Sequence, residues 1–398
     1  MELYDPIHGL ISVCPLAKKI IDTEEFQRLR NIKQLGCCYY VFPGASHNRF
    51  EHSIGVYHLA KKYINILNQH KEFTDRDILC ISIAGLIHDI GHGPFSHLFD
   101  EIVPEEKNHE YRSGQLITRM NQTYNLGFSD AEINFMIQII YPTNIQDPKQ
   151  YLYQIISNKN GIDVDRFDYL SRDIKMIGLN YGIECERIMN HSKIENNEII
   201  FSDKVKINIE DYFNTRFIMY KEVYNHNTVR GIEHMIKQFL YLVNDIFSIY
   251  DTVHNDIWDA FIQFNDNILE YPKIMNIPLS KELEEVMENI KQRKIYKCIG
   301  EIISTDASVD SELMVQKEDL YTESIDKAII IDSVKLSYYG DVSCKYYHER
   351  NIHYQCKNIY VNKDEYITKI YYKHTDFEHI ARDIYNSSVL LLENLKMD

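Results

Sequence analysis

The sequence predicts a mainly α-helical protein that ends in a smaller α+β lobe. Apolar residues recur every three or four positions through most of the first 300 residues, which is the periodicity of helices that bury one face. Beyond Gly300 they alternate, which is the periodicity of strands. Because neither an internal repeat nor a Gly/Ser-rich linker divides the chain, we predict a helical core over 1–300 and an α+β lobe over 301–398.

Three helices of the core follow from this apolar spacing. Residues 56–67 and 133–141 each place apolar side chains on one face, so both segments predict amphipathic helices. A longer pattern of the same kind covers about 210–246. Residues 193–201 (KIENNEIIF) interrupt the helical texture, and the paired asparagines at their centre, Asn196 and Asn197, predict a small hairpin.

In the C-terminal lobe, two short alternating runs predict strands, and a final amphipathic pattern predicts a helix that closes the chain. The strand residues are Val334, Leu336 and Tyr338, then Ile352, Tyr354 and Cys356. The helix residues are Phe377, Ile380, Ala381, Ile384 and Leu391.

Composition and charge exclude several classes of function. The net charge of −16 argues against a protein that binds nucleic acid strongly, because that mode relies on a basic field. Neither a signal peptide nor an apolar run of membrane-spanning length is present in the sequence. The eight cysteines form no CxxC pair, so we expect an intracellular, cytoplasmic protein with reduced thiols. A phosphorylated small molecule still fits, since a triphosphate needs only a local cluster of cations.

The strongest chemical signal is a dense group of histidines after an apolar segment, 78–87, that predicts a buried helix. The run HDIGHGPFSH breaks this helix with two glycines and a proline, which predicts a tight loop with accessible backbone. One histidine in isolation more often has a structural role, but three histidines and an aspartate in so short a loop favour a site. The loop supplies His88, Asp89, His92 and His97, with Asp100 just after it.

Two other segments add compatible side chains. Upstream, Arg49 and His52 are three residues apart and share one face of a helix. Downstream, GIDVDRFDYLSRD contains four aspartates, which fit a solvated helix face as readily as a site. Imidazole and carboxylate donors together suit Fe, Mn, Zn or Mg, and such a metal can activate water and bind a phosphoryl oxygen. The residues alone therefore predict a metal-dependent phosphohydrolase whose substrate is open.

A polar and aromatic stripe follows at intervals of four, at Arg216, Tyr220 and Tyr224. It fits a partly buried helix face with its polar tips in water. It equally fits an arginine that binds phosphate beside rings that pack on a sugar or base.

The longest motifs closely resemble those of the SAM-and-HD-domain dNTP triphosphohydrolase family. They are DPIHG, IIDTEEFQRLRNIKQLGCCYYVFPGASHNRFEHSIGV, IAGLIHDIGHGPFSHLFD and GIDVDRFDYLSRD. The resemblance is dense over residues 5–103 and around 160–182, and it extends over essentially the whole chain without the N-terminal SAM domain of the family. It implies an HD-domain helical core over 1–300.

The resemblance implies a metal centre and a catalytic group beside it. The metal ligands are His52, His88, Asp89 and Asp165. His97 is the general acid, oriented by Asp100, while His92 and His109 contact the α-phosphate region or a second metal. The reaction converts a dNTP and water into a deoxynucleoside and inorganic triphosphate, with Mg²⁺ accompanying the nucleotide.

The resemblance also implies a substrate pocket that discriminates against ribonucleotides. The triphosphate is held by Arg49, Arg166, which replaces a family lysine, and Arg216. The 3′-hydroxyl is contacted by Gln34 and Asp173, and the sugar packs on Leu35, Tyr169 and Tyr224. Tyr220 stands where the family has a histidine that contacts phosphate.

A regulatory nucleotide site is only half matched. By resemblance it comprises Asp22, Gln27, Arg30, Lys204 and Asn208. Several basic residues of the family's site have no counterpart, so we expect GTP sensing to survive while dNTP-dependent tetramer formation is weakened or replaced. A homo-oligomer, dimer or tetramer, is expected.

Two other functions stay open from the sequence. An HD-type phosphodiesterase or nuclease would use the same metal site on another phosphate ester, but it has no need of the sugar-pocket residues. A non-catalytic nucleotide-binding homologue would be free to lose the metal ligands and His97, all of which are present.

Overall fold

The computed structural model describes residues 1–69, 72–143, 149–304, 328–336, 345–347, 353–355 and 365–395. These residues are mainly helical with small sheets, which confirms the predicted fold class. The chain forms two compact units that interleave along the sequence, whereas the sequence predicts one boundary at 300. The first unit comprises 1–215, 243–278 and 341–359, and the second comprises 216–242, 279–340 and 360–398.

The strands of the described residues are β1 (Glu2–Asp5), β2 (Gly9–Ser12), β3 (Ser192–Glu195), β4 (Glu198–Ser202), β5 (Lys297–Ser304), β6 (Ile329–Leu336), β7 (Lys345–Tyr347), β8 (His353–Gln355) and β9 (Glu365–Tyr372). The helices are α1 (Pro15–Ile21), α2 (Glu24–Gln27), α3 (Arg49–Leu67), α4 (Asp75–Ile87), α5 (His97–Asp100), α6 (His109–Thr123), α7 (Asp130–Ile140), α8 (Gln150–Tyr153), α9 (Val164–Ile177), α10 (Cys185–Asn190), α11 (Lys206–Ile218), α12 (Asn227–Phe247), α13 (Ile249–His254), α14 (Trp258–Phe261), α15 (Tyr271–Ile274), α16 (Lys281–Lys291) and α17 (Glu378–Leu395). None of these described helices is both long and apolar enough to cross a membrane.

Capping residues fix where the helices that carry the candidate site begin. Helix α3 begins after Asn48, whose side chain accepts from the Glu51 backbone N–H while Glu51 accepts in return from Asn48. It contains the predicted segment 56–67 but begins seven residues earlier, which places Arg49 and His52 in its first turns. Helix α9 begins after Asp163, whose side chain accepts from the Arg166 backbone N–H.

The hairpin predicted at 193–201 is confirmed as β3 and β4, which pair antiparallel. Asn196 and Asn197 have φ values of 51° and 59°, the left-handed conformation that such a two-residue turn requires. The continuous helix predicted over 210–246 is interrupted. Helix α11 passes into a π-helical segment, Met219–Tyr224, and α12 begins only at Asn227.

The second unit contains an antiparallel sheet in the order β5–β9–β6, with α17 packed against it. Its core includes Ile302, Ile329, Ile370, Ala381 and Ile384. The strand predicted at Val334 and Leu336 is β6, and the predicted final helix is α17. Three residues of the other strand predictions, Tyr338, Ile352 and Cys356, lie outside the described residues.

Candidate metal centre and active site

Four predicted metal ligands meet in the first unit, although they come from three separate helical regions. His52 lies in α3, His88 is the residue that ends α4, Asp89 follows it, and Asp165 lies in the first turn of α9. His52 Nε2 lies 3.0 Å from Asp165 Oδ1 and 3.2 Å from His88 Nε2. His88 Nε2 lies 3.4 Å from Asp89 Oδ1 and 3.4 Å from Asp165 Oδ1. The ligand atoms of His52, His88 and Asp89 therefore form one compact group, and Asp165 borders it through the two histidines.

The electrostatics of this cluster favour a bound cation. Burial alone would lower the pKa of His52, but the carboxylates of Asp165 and Asp168 raise it to about 10. Asp89 and Asp165 likewise raise the pKa of His88 against the effect of burial. A buried site that holds protons this strongly carries excess negative charge, which a divalent metal neutralises on displacing them. Two imidazoles and the Asp89 carboxylate, with Asp165 beside them, fit such a metal.

The loop that leads from Asp89 to α5 is held in a strained conformation. Phe95 and Ser96 have φ values of 59° and 60°, which residues with a side chain rarely adopt. Asp266 accepts hydrogen bonds from the backbone N–H groups of Phe95 at 2.7 Å and Lys33 at 2.9 Å. Arg49 donates from Nε to Ser96 Oγ at 2.8 Å and from Nη1 to Asp89 Oδ2 at 2.5 Å. Arg49 thus connects the loop to the metal cluster.

Close packing explains the two glycines that the sequence places in this loop. A Cβ at Gly91 would lie 2.5 Å from the Ser113 backbone nitrogen, and one at Gly93 would overlap the Phe99 ring. The glycines therefore allow α6 and α5 to approach the loop, in addition to breaking the helix.

A second cluster adjoins the first and contains the predicted catalytic histidines. The rings of His92 and His109 stack with centroids 3.9 Å apart, and the His97 ring lies edge-on to both. His92 is fully buried, its Nε2 lies 3.3 Å from Asp89 Oδ1, and neither of its ring nitrogens forms a hydrogen bond of good geometry. Such a histidine is suited to bind a metal or a phosphate oxygen.

The structure places Asp100 closer to His109 than to His97, the residue that it is predicted to orient. Asp100 Oδ2 lies 2.7 Å from His109 Nδ1 but 4.0 Å from His97 Nδ1. Its other oxygen accepts from the buried Arg112 Nη2 at 2.5 Å. Arg112 and His109 each bind one oxygen of this carboxylate, so Asp100 orients His109 more directly than His97.

His97 is the accessible member of the second cluster, with 73% of its side chain exposed. Partial desolvation by the walls of the site and the nearby Arg49 guanidinium lower the pKa of His97, and the water that reaches most of the ring screens part of this effect. His97 is therefore neutral near pH 7 until a negative ligand approaches it.

A cavity of about 170 Å³ connects the two clusters. The predicted substrate residues that line it are Gln34, Arg49, Arg166 and Tyr169. Gln34 Oε1 is buried without a hydrogen-bond partner among the described residues, which indicates a ligand contact there. The volume holds a phosphoryl group and water, whereas sites that enclose whole ligands occupy about 300–1,000 Å³.

The other predicted substrate residues do not line this cavity. Leu35 is absent from its walls, and Asp173 is buried with its Oδ1 2.7 Å from His47 Nε2. Arg216, Tyr220 and Tyr224 belong to the second unit. There the Arg216 guanidinium lies over the Tyr220 ring, whose centroid is 5.1 Å from that of Tyr224, so the stripe forms as predicted. Its role in substrate binding stays a prediction.

The predicted regulatory residues lie on the first unit in two groups. Asp22 ends α1, and Arg30 donates from Nε to Gln27 Oε1 at 2.8 Å, so these three are neighbours along the chain. Lys204 and Asn208 follow β4, where Asn208 accepts from Arg187.

Sequence reasoning missed four residues that support the site through hydrogen bonds. They are His8, His47, Asp168 and Asp266. His8 lies within the DPIHG segment, and Asp168 within the predicted acidic run, but neither local pattern indicates the contact that it makes.

Comparisons with known proteins agree with this geometry. The family model described as the HD domain matches residues 49–173, which contain all four metal-cluster residues. The putative HD domain-containing protein L394 of Acanthamoeba polyphaga mimivirus is 41% identical over 337 residues, covering 74% of this chain and 72% of that protein. The deoxynucleoside triphosphate triphosphohydrolase SAMHD1 homolog of Dictyostelium discoideum is 36% identical over 348 residues, covering 84% of this chain and 67% of that protein. Deoxynucleoside triphosphate triphosphohydrolase SAMHD1 of Homo sapiens is 36% identical, and the match covers 82% of this chain but 58% of the human protein.

Proposed function

Because the chain belongs to the family of the deoxynucleoside triphosphate triphosphohydrolase SAMHD1, we propose that it is a metal-dependent dNTP triphosphohydrolase. It converts a dNTP and water into a deoxynucleoside and inorganic triphosphate. Water attacks the α-phosphorus, and the 5′-oxygen is the leaving group.

The observation that carries this proposal is the cavity that joins the metal cluster to the histidine cluster. His88, Asp89 and Asp165 line it on one side, and His92, His97 and His109 line it on the other. Metal ligands and proton-transfer groups therefore face the same small volume, which the reacting phosphate of a nucleotide fits. Iron, manganese, zinc and magnesium all suit the four donors.

A divalent metal bound by His52, His88, Asp89 and Asp165 would act as a Lewis acid and make a hydroxide nucleophile available near neutral pH. Arg49 lies beside this position and offsets negative charge that develops on the phosphate oxygens. Arg166 reaches the same cavity while paired with Asp163, which is buried behind it. Both arginines therefore bring positive charge to the cavity that the phosphate would occupy.

His97 is the group that protonates the leaving 5′-oxygen. Its lowered pKa leaves it neutral in the free protein, but a triphosphate brings several negative charges against it and raises that pKa. The imidazole thus acquires its proton when substrate binds, and the exposed ring delivers it at the mouth of the cavity.

The decisive experiment identifies the products. Purified protein is incubated with Mn²⁺ or Mg²⁺ and each nucleotide, and the products are separated by anion exchange. We expect inorganic triphosphate from dGTP and little from GTP. Asp165→Asn removes one ligand and should abolish turnover, whereas His191→Ala, which changes a histidine outside both clusters, should retain the full rate.

Other products would contradict the proposal. Release of monophosphate or diphosphate, or turnover of other phosphate esters, indicates an HD-type phosphodiesterase or nuclease. Metal binding without any hydrolysis indicates a non-catalytic nucleotide-binding protein. Equal turnover of dGTP and GTP would exclude the discriminating sugar pocket.

We further propose that GTP or a dNTP regulates the enzyme and that it forms a homo-oligomer. The support is the set of Asp22, Gln27, Arg30, Lys204 and Asn208, of which Arg30 and Lys204 expose basic groups. Size-exclusion chromatography with light scattering, with and without GTP and dNTP, tests this point. A mass that stays constant under all conditions excludes ligand-driven assembly.

A further inference from the structure

The carboxylate of Asp168 lies directly behind the metal-cluster residue His52. Asp168 is fully buried in α9, and its Oδ2 lies 2.8 Å from His52 Nδ1. When His52 Nδ1 donates its proton to this carboxylate, the Nε2 lone pair faces Asp89 and Asp165. The contact therefore fixes both the tautomer and the orientation that a metal ligand needs.

Asp168 is itself held by two more side chains. His8 Nε2 lies 2.6 Å from Asp168 Oδ1. Arg172 donates from Nη2 to the same oxygen at 3.0 Å and from Nε to Oδ2 at 2.9 Å. With His52, four donor atoms surround the two oxygens, so the carboxylate has little freedom to rotate.

The N-terminal hairpin supplies His8 through a turn shaped by Asp5. Asp5 Oδ1 accepts from the backbone N–H groups of Ile7 at 2.8 Å and His8 at 2.9 Å, as in an Asx turn. Asp5 Oδ2 accepts from Arg172 Nη1 at 2.9 Å. Asp5 thus shapes the turn between β1 and β2 and connects this turn to Arg172, which donates to Asp168.

We propose that His8 is a positioning residue for the metal centre. It acts on His52 through Asp168, and the turn shaped by Asp5 holds it in place. This inference rests on the metal site of the proposed function. Only 11% of the His8 side chain is exposed. Two hydrogen bonds connect it to the metal cluster, one from His8 to Asp168 and one from Asp168 to His52. Substitutions of such outer partners weaken metal affinity by about 10–100-fold.

The test measures Co²⁺ binding in the absence of nucleotide, by competition with a chromophoric chelator and by the visible absorption of the bound ion. His8→Ala should weaken Co²⁺ affinity roughly tenfold or more and alter the absorption bands. His8→Gln should restore most of the affinity, because a glutamine Nε2 can donate to Asp168 from nearly the same place. His58→Ala is the matched control, since its ring lies 5.3 Å from the His8 ring between centroids, whereas the hydrogen bonds to Asp168 among the described residues come from His8, His52 and Arg172.

Three results would overturn the proposal. Unchanged affinity and bands in His8→Ala would show that His8 has no influence on the centre. Failure of His8→Gln to restore affinity, or an equal loss in His58→Ala, would indicate a packing role. If the unaltered protein binds Co²⁺ but releases no triphosphate, only the proposed reaction fails; if hydrolysis is present and His8→Ala binds Co²⁺ normally, only this inference fails.

Discussion

Replacing Gly55 by alanine should destabilise the protein and weaken metal binding, because the added methyl group would displace Asp168. Gly55 lies in α3 opposite α9, and an added Cβ would overlap Asp168 Oδ1 and lie 2.5 Å from Arg172 Nη2. The methyl group can be accommodated only if Asp168 and Arg172 separate. Disrupting a buried ion pair costs about 3–5 kcal/mol, and the better helix propensity of alanine offsets about 1 kcal/mol of this. The net loss of stability is therefore about 2–4 kcal/mol.

The matched control is Gly114→Ala in α6. There the three atoms nearest to the added Cβ all belong to the Ile137 side chain, at 3.2 Å or more, and a small shift of that side chain relieves the contact. Urea denaturation of both variants measures the free energy of unfolding, and chelator competition measures metal affinity. We expect Gly114→Ala to stay within about 1 kcal/mol of the unaltered protein. If Gly55→Ala is as stable as Gly114→Ala and binds metal as tightly, the close approach of α9 to α3 is not needed and the reasoning is wrong.

Four more outcomes follow from particular contacts. Arg49→Lys should lower kcat for dGTP roughly tenfold or more, because lysine cannot hold Asp89 and Ser96 together; an unchanged kcat would refute this. Asp332→Asn should lose about 3 kcal/mol at pH 7, because the buried carboxylate pairs with Arg230. Burial alone would raise the pKa of Asp332, but Arg230 and His234 lower it, so its contribution is complete above about pH 4 and the difference from the unaltered protein should shrink as pH falls below that value. Ser129→Ala removes the cap of α7 and should cost about 1 kcal/mol in urea denaturation without any change in metal affinity. Removal of metal by a chelator should lower the melting temperature, since metal at 1,000 times its Kd contributes about 4 kcal/mol, and a melting temperature indifferent to metal would contradict the site.

The sequence predicts those parts of the site whose residues lie close together along the chain. His88, Asp89, His92 and His97 lie within ten residues after a buried helix, so one loop indicates the chemistry. His52 and Asp165 are predicted as ligands by the resemblance, and the structure places them in the first turns of α3 and α9. The helices predicted from apolar spacing are also local features, because the spacing itself defines the face that each helix buries.

The parts that the sequence does not predict depend on contacts between distant segments. Asp168 and His8 are 160 positions apart, and Phe95 and Asp266 are 171 apart. No local pattern distinguishes these aspartates from those of a solvated face. The sequence pairs Asp100 with His97, whereas the structure pairs it with His109 and Arg112. Both of these residues lie in α6, and no local pattern around Asp100 indicates how α6 packs.

The arrangement of charge around His52 explains why so many ionised groups lie in the core of the first unit. Asp5, Asp168 and Arg172 are buried, and an apolar core of the same volume would often be at least as stable. Their geometric effect is specific, because each donor on Asp168 removes one orientation of the carboxylate and hence of the His52 ring. A hydrolase that must hold water and phosphate in line benefits from that precision more than from extra stability. The N-terminal hairpin is then part of the metal centre in a physical sense, although it contributes none of the four predicted ligands.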